Sequence, residues 1–352
     1  MKKWTMDTSA LEFSLFSGTR HYVISRSDLG KSDFYATCVQ QDAGVHMILL
    51  NEDSTPMGDE DISWFQKLVE YTMPQNRIEW PVDMAEISVM KLDESHPKTS
   101  YLRYMVFPMP IISGTWILLR DIICQPTGSD VLDWRNEEIQ KYCLGFLDAL
   151  SWMHEMGYAY NDFSPDRILF QSDTGKCYFK FHSGIQPLIR KMAVRPLDFS
   201  LFSKEFFPSS YLEDEVGTVE KKKNYRKRID EETVPAVLFR MMIGKLPYEG
   251  EDMSAYGDIL NPDRPMSAPE REIYFQHYHQ RPVFIFDPDN HRNQLPDIYE
   301  SRKPRERWES LSPELKTMFV ESFKKDKEVY TVKRWMRALS NLYRIKERGT
   351  GK

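Results

Sequence analysis

The chain has 352 residues, 41% of them hydrophobic and 28% charged, with 8 Trp, 18 Tyr and 20 Phe. That length exceeds one small core, so a two-lobed domain or two small domains is expected, and the aromatic mass excludes disorder along most of the chain. A net charge of -6 and a pI near 5.8 give no general attraction to nucleic acid or anionic membrane. No run approaches the roughly 18 apolar residues of a membrane span, and the opening MKKWTMDTSALEF has no signal-peptide core. A cytoplasmic protein is therefore expected, with neither nucleic acid nor membrane as partner. Cys38, Cys124, Cys143 and Cys177 stand alone, without CxxC or zinc spacing, which fits buried reduced thiols better than a metal site.

In chain order, residues 11–50 predict short strands, LEFSLF, HYVIS, FYATCVQQ and VHMILLN, broken by the turns SGT, DLGKSD and DAG. Residues 59–73 carry Ile62, Phe65, Leu68, Val69 and Met73 at helical spacing. Two further strands, ISVMKL and LRYMVF, are split by the turn-rich DESHPKTS. After an extended connector at Phe107–Pro110 the character changes to helices. The longest, 134–156, has acids early and Ile139, Cys143, Phe146, Leu147, Leu150 and Met153 on one face. Later helices fit 231–243, 312–323 and 331–344. The organisation predicted is α+β: a small β-rich lobe over 1–107, a larger helical lobe over 108–345 and a tail over 346–352. Between Gly184 and Asp230 the basic run from Lys221 to Arg228 follows the acidic Glu213-Asp214-Glu215. It reads as a solvated, mobile loop, with a docking patch for an acidic or phosphorylated partner as the sharper alternative.

The stretch GYAYNDFSPDRILFQSDTGKCYFKFHSG, residues 157–184, predicts a loop, a short hairpin turning at Asp173-Thr174-Gly175, and a Gly-terminated triplet. It resembles the catalytic and metal-binding loops of protein kinases, where an H-R-D-x-x-x-x-N motif supplies a base and a metal-binding Asn, and a D-F-G triplet supplies the Asp that holds Mg²⁺. The resemblance puts Tyr160-Asn161-Asp162 in the H-R-D place, so Asp162 keeps the base position. Arg167 falls where the metal-binding Asn belongs, and His182-Ser183-Gly184 where D-F-G belongs. Mg²⁺ requires oxygen ligands. A guanidinium ligates no metal and adds a fixed positive charge, and an imidazole is a poor ligand for a hard cation.

The front half carries matching losses. Leu29-Gly30-Lys31-Ser32-Asp33-Phe34-Tyr35-Ala36-Thr37 is similar to a kinase glycine-rich loop in which Gly30 alone survives, Ser32 and Tyr35 replacing the other two glycines. Read without the resemblance, one glycine marks no more than a hairpin turn. No lysine occurs between Lys31 and Lys67, so Leu49 or Leu50 stands where the phosphate-pairing lysine belongs. The degenerate nucleotide cleft implied by the resemblance is lined by Gly30, Ser32, Tyr35, Leu49, Leu50 and Met105.

Four segments narrow the resemblance. Arg77-Ile78-Glu79-Trp80-Pro81-Val82-Asp83 is similar to the "WP-D" strand entry of a bacterial kinase-like group. GYAYNDFS resembles that group's catalytic loop, Leu246-Pro247-Tyr248-Glu249-Gly250 its "HP-EG" turn, and the segment from Arg281 to Asn290 with Asn293 its "NPVFIFDP-D-SN" segment. Trp308, Leu311, Met318, Phe319, Phe323, Arg334 and Trp335 repeat its closing helices. The likeness spans roughly residues 20–345 and implies a two-lobed fold and, through the lost ligands, a pseudokinase acting as scaffold or regulator in bacterial signalling. The partners it implies are von Willebrand-type or phosphatase proteins. No cofactor is expected. Two alternatives stay open: an atypical kinase with Asp162 as base and Asp166 rescuing the metal, and a sensor that binds ATP without magnesium.

Overall fold

Alternating apolar and polar residues suit β-strands, and the front half builds a sheet from them. In the computed structural model, β1 (Ala10–Ser14), β2 (His21–Ser25), β3 (Asp33–Cys38), β4 (Gly44–Leu49), β5 (Asp83–Leu92) and β6 (Pro97–Pro108) form a six-stranded antiparallel sheet in the order β1-β2-β3-β4-β6-β5. The residues described are 10–14, 21–25, 33–38, 44–49, 59–71, 73–74, 76–92, 97–108, 114–123, 136–182, 184–188, 206, 219–251, 267, 269, 283–289, 292–324 and 328–349. The register from Asp83↔Val106 to Leu92↔Pro97 draws Pro97–Ser100, expected to be turn, into β6. Pro97 is tolerated because it opens the strand and owes the ladder no N–H there. Between β4 and β5 the chain forms α1 (Asp59–Val69), which packs on β5 and buries Trp64, Phe65 and Leu68.

The chain divides into two compact units, residues 1–113 with 179–183, and residues 114–178 with 184–352. The first unit thus takes in a five-residue piece from far along the sequence. Phe179 pairs with Ile78 in a parallel bridge, donates its N–H to Arg77 O (3.0 Å) and accepts from Glu79 N (2.8 Å). Phe181 then stacks edge-on to Trp80 and packs on Phe107, with centroids 6.3 and 5.0 Å apart.

In the second unit, β7 (Trp116–Leu118) and α2 (Leu119–Ile123) precede α3 (Asn136–Glu155), which buries Ile139, Cys143, Phe146, Leu147, Leu150 and Met153 as its spacing predicts. Burial pushes the Cys143 thiol far above its ordinary pKa, so it is inert at neutral pH. The strands β8 (Tyr158–Ala159), β9 (Ile168–Gln171), β10 (Cys177–Phe179) and β11 (Gln186–Pro187) make two small sheets, ordered β10-β9-β7 and β11-β8. The β9–β10 turn lies against α3. Gly175 sits at φ 71°, and a Cβ on Gly145 would come within 1.9 Å of Gly175 O. Lys141 Nζ donates to Ser172 O at 2.8 Å in the same turn.

The remaining helices are α4 (Val219–Ile243), α5 (Tyr299–Glu309), α6 (Pro313–Phe323) and α7 (Val332–Gly349). The basic run 221–228 corrects the expectation of a solvated loop, for it forms the start of α4. Arg226 is buried, and Lys227 and Arg228 make i,i+4 ion pairs to Glu231 and Glu232. Helix α5 was not legible because it is mostly charged and contains Pro304; it earns its place by burying Ser301, Pro304 and Trp308.

Trp308 joins Phe239, Phe284, Phe286, Phe319 and Phe323 in one aromatic cluster, with Phe286 and Trp308 stacked 4.6 Å apart. Asn293 Nδ2 donates to Tyr248 O (3.0 Å) and Val283 O (2.8 Å), joining the 246–250 turn to the 283–289 segment. The segments most distinctive in sequence therefore serve the core of this unit. No helix of the described residues is long and apolar enough to cross a membrane.

Candidate functional site

The loop after α3 is built from the backbone outward. Gly157 (φ 85°) ends the helix, two residues form β8, and the chain then turns sharply at Asn161 (φ 68°). Asn161 is the one described non-glycine residue with positive φ. Asn is among the few L residues that hold the left-handed region at modest cost. The turn is fixed by Asp230 of α4, whose side chain is fully buried. Its Oδ1 accepts the N–H of Asn161 (2.6 Å) and its Oδ2 that of Tyr160 (2.9 Å), while His154 Nε2 lies 2.8 Å from Oδ2. A buried carboxylate is tolerated only when its lone pairs are met, and here three donors converge on it.

The turn delivers Asp162 to a nearly closed position, its side chain 3% exposed. A second turn, closed by Arg167 N donating to Ser164 O (3.0 Å), carries the chain back. Arg167 Nη1 then donates to Asp162 Oδ2 at 2.6 Å. The Arg167 side chain is 39% exposed, so the pair is dry at the acid and open to water along the arginine. Phe163 anchors the loop by packing on Phe146 and Tyr160. Asp166 does not join the pair: Arg120 of α2 grips it through both Nε and Nη2. Arg120 N also donates to Pro165 O at 3.1 Å. Each carboxylate of the loop is therefore neutralised by its own guanidinium.

The other residues singled out from the sequence and described by the structure belong to the first unit. His182, 6% exposed, belongs to the first unit. Beside it, Phe181 N donates to Glu79 Oε2 at 3.2 Å, and Glu79 is itself buried. Met105 is fully buried in β6, its backbone opposite Ile48 and Met84. Leu49 pairs with Tyr104, Asp33 with Ile48 and Tyr35 with His46 through the backbone ladder. Gly30, Ser32 and Leu50 lie outside the described residues.

Sequence reasoning missed Asp230, His154, Arg120 and Glu79. Asp230 sits in a charged run, KRIDEE, where nothing local separates the acid that holds the loop from the charged residues around it. Its one signal is its place directly before the apolar face of 231–243. Arg120 lies 46 positions from the acid it grips, beyond the reach of any local pattern.

Burial raises the Glu231 carboxyl above the ordinary glutamate range, and neighbouring Asp230 adds to that, while Lys227 and His154 pull it down. Among the described residues no group of three or more His, Cys, Asp or Glu side chains is arranged to hold a metal ion. Compared with family models and with curated proteins, the chain matches none of them.

Proposed function

We propose that this chain is a pseudokinase: a two-lobed, protein-kinase-like domain that transfers no phosphoryl group and acts by binding a partner in bacterial signalling. The observation that carries this reading is the Asp162–Arg167 pair. A base must accept a proton from a substrate hydroxyl within hydrogen-bond reach. The Asp162 carboxylate is 3% exposed and already occupied by a guanidinium at 2.6 Å. Such a partner favours the ionised acid but leaves it poorly placed to meet a substrate. Phosphoryl transfer also needs acidic ligands for its metal, and Asp166, the carboxylate that could supply one, is held by Arg120.

The fold supports the same reading in outline: among the described residues, an antiparallel sheet with one helix in the first unit, and a helical second unit carrying the loop that holds Asp162. The partners follow from the resemblance of the chain to its bacterial group, which points to phosphatase or von Willebrand-type proteins. No cofactor is required by this function. A sensor that binds ATP without magnesium shares the same residues, with Arg167 meeting phosphate directly.

The test pairs radiolabelled ATP with thermal shift. We expect no label on generic protein substrates above the Asp162→Ala background, and none in Arg167→Asn either. We also expect no rise in melting temperature with ATP, with or without Mg²⁺. A rise with ATP alone moves the assignment to the sensor. Label that disappears in Asp162→Ala overturns the proposal in favour of an atypical kinase.

A further inference from the structure

Asn161 makes contacts that neither its backbone strain nor the Asp162–Arg167 pair explains. Its side chain is fully buried, and Nδ2 donates to Gly184 O at 3.0 Å. Gly184 opens a short stretch that zips onto β8: Gln186 pairs with Ala159, Pro187 pairs with Tyr158, and Leu188 N donates to Gly157 O at 2.5 Å. Pro187 brings no N–H to this ladder, and each strand is only two residues long. So short a ribbon is marginal alone, and the amide of Asn161 is its added side-chain clasp. The same residue donates its backbone N–H to Asp230 and directly precedes Asp162. Its conformation is thus fixed from two sides, by Asp230 from below and by Gly184 across the ribbon.

We infer that Asn161 is a positioning residue coupling the 184–188 strand to the loop that holds Asp162. Peeling the strand away removes the shorter of two side-chain bonds, Nδ2 to Gly184 O at 3.0 Å, and leaves the long one to Ala159 O at 3.5 Å to hold the left-handed turn. The turn then loosens, and Asp162 with it. Movement of the chain at residues 184–188 is thereby transmitted to the buried Asp162–Arg167 pair. This coupling is independent of whether the chain is a pseudokinase, since it rests on geometry within the second unit alone.

The test is hydrogen–deuterium exchange on the full chain with two variants. Asn161→Gly keeps the backbone free to hold positive φ but deletes the clasp. Asn161→Asp keeps the shape but puts an acceptor against Gly184 O. We expect exchange of the Leu188 and Asp162 amides to rise at least about tenfold in Asn161→Gly, with α3 and α6 protection unchanged. Asn161→Asp should exceed it, or fail to fold, in which case Asn161→Gly decides. A merely structural role would loosen the whole unit evenly, so equal rises in α3 and α6 overturn the inference. So does unchanged exchange at Leu188 and Asp162.

Discussion

Replacing Arg167 by Ala leaves the Asp162 carboxylate in a pocket that exposes only 3% of it. Orphaning one member of a fully buried ion pair costs about 3–5 kcal/mol. That figure is an upper bound here, because the arginine side chain is 39% exposed and its removal opens a path for water to the acid. A discounted loss of about 1–2 kcal/mol follows. The Arg120–Asp166 pair supplies an internal control. It has the better, two-pronged geometry, yet its side chains are 35% and 50% exposed, so Arg120→Ala should cost under about 1 kcal/mol. Burial rather than hydrogen-bond count should therefore set the order. Urea unfolding of the wild type, both single variants and the Asp162→Asn/Arg167→Ala pair measures it, the double variant recovering part of the loss through coupling. A change below about 0.3 kcal/mol for Arg167→Ala, or a larger loss for Arg120→Ala, would refute the reasoning.

Gly145→Ala should be among the most damaging single-methyl changes in the chain, losing more than about 3 kcal/mol or preventing folding. Its new Cβ meets the backbone oxygen of Gly175 at 1.9 Å, and backbone cannot rotate away; a wild-type urea midpoint would contradict this. Glu231→Gln tests the raised carboxyl beside Asp230. Because the fold favours the protonated form, the stability that form contributes is fully present below the ordinary glutamate pKa and is lost as pH rises through the raised one. The glutamine variant should match or exceed the wild type at about pH 7, and the difference should vanish near about pH 4. A variant clearly weaker at neutral pH would mean that the Lys227 ion pair outweighs desolvation.

How much was legible without the structure divides along physical lines. Strands and amphipathic helices are written in period and alternation, so β2, α3 and α6 fall within a residue or two of their expected bounds. The resemblance to the kinase loop puts Asp162 at the base position and Arg167 at the metal position beside it, and the two side chains do meet. The segments that made the chain resemble a bacterial group were visible as well, but their role was not. The structure gives 246–250 and 283–289 to the Phe239 cluster and the Asn293 bridge, so they report on the core rather than on chemistry.

What the tertiary structure alone decided is everything that depends on which charges leave water. The basic run from 221 looked solvated because charge and mobility travel together in most sequences; here α4 carries Arg226 inside, where only the packing around it could take it. Asp230, Glu231 and Glu232 stand side by side in sequence, yet a fully buried acid holding two amides sits two residues before a neighbour that pairs with Arg228. Helix α5 formed around its buried Trp308 and Pro304 even though a proline interrupts its ladder and its sequence shows no apolar stripe. Periodicity names the elements of this protein, and burial assigns its charges, because the cost of desolvating an ion is set by neighbours that no local pattern contains.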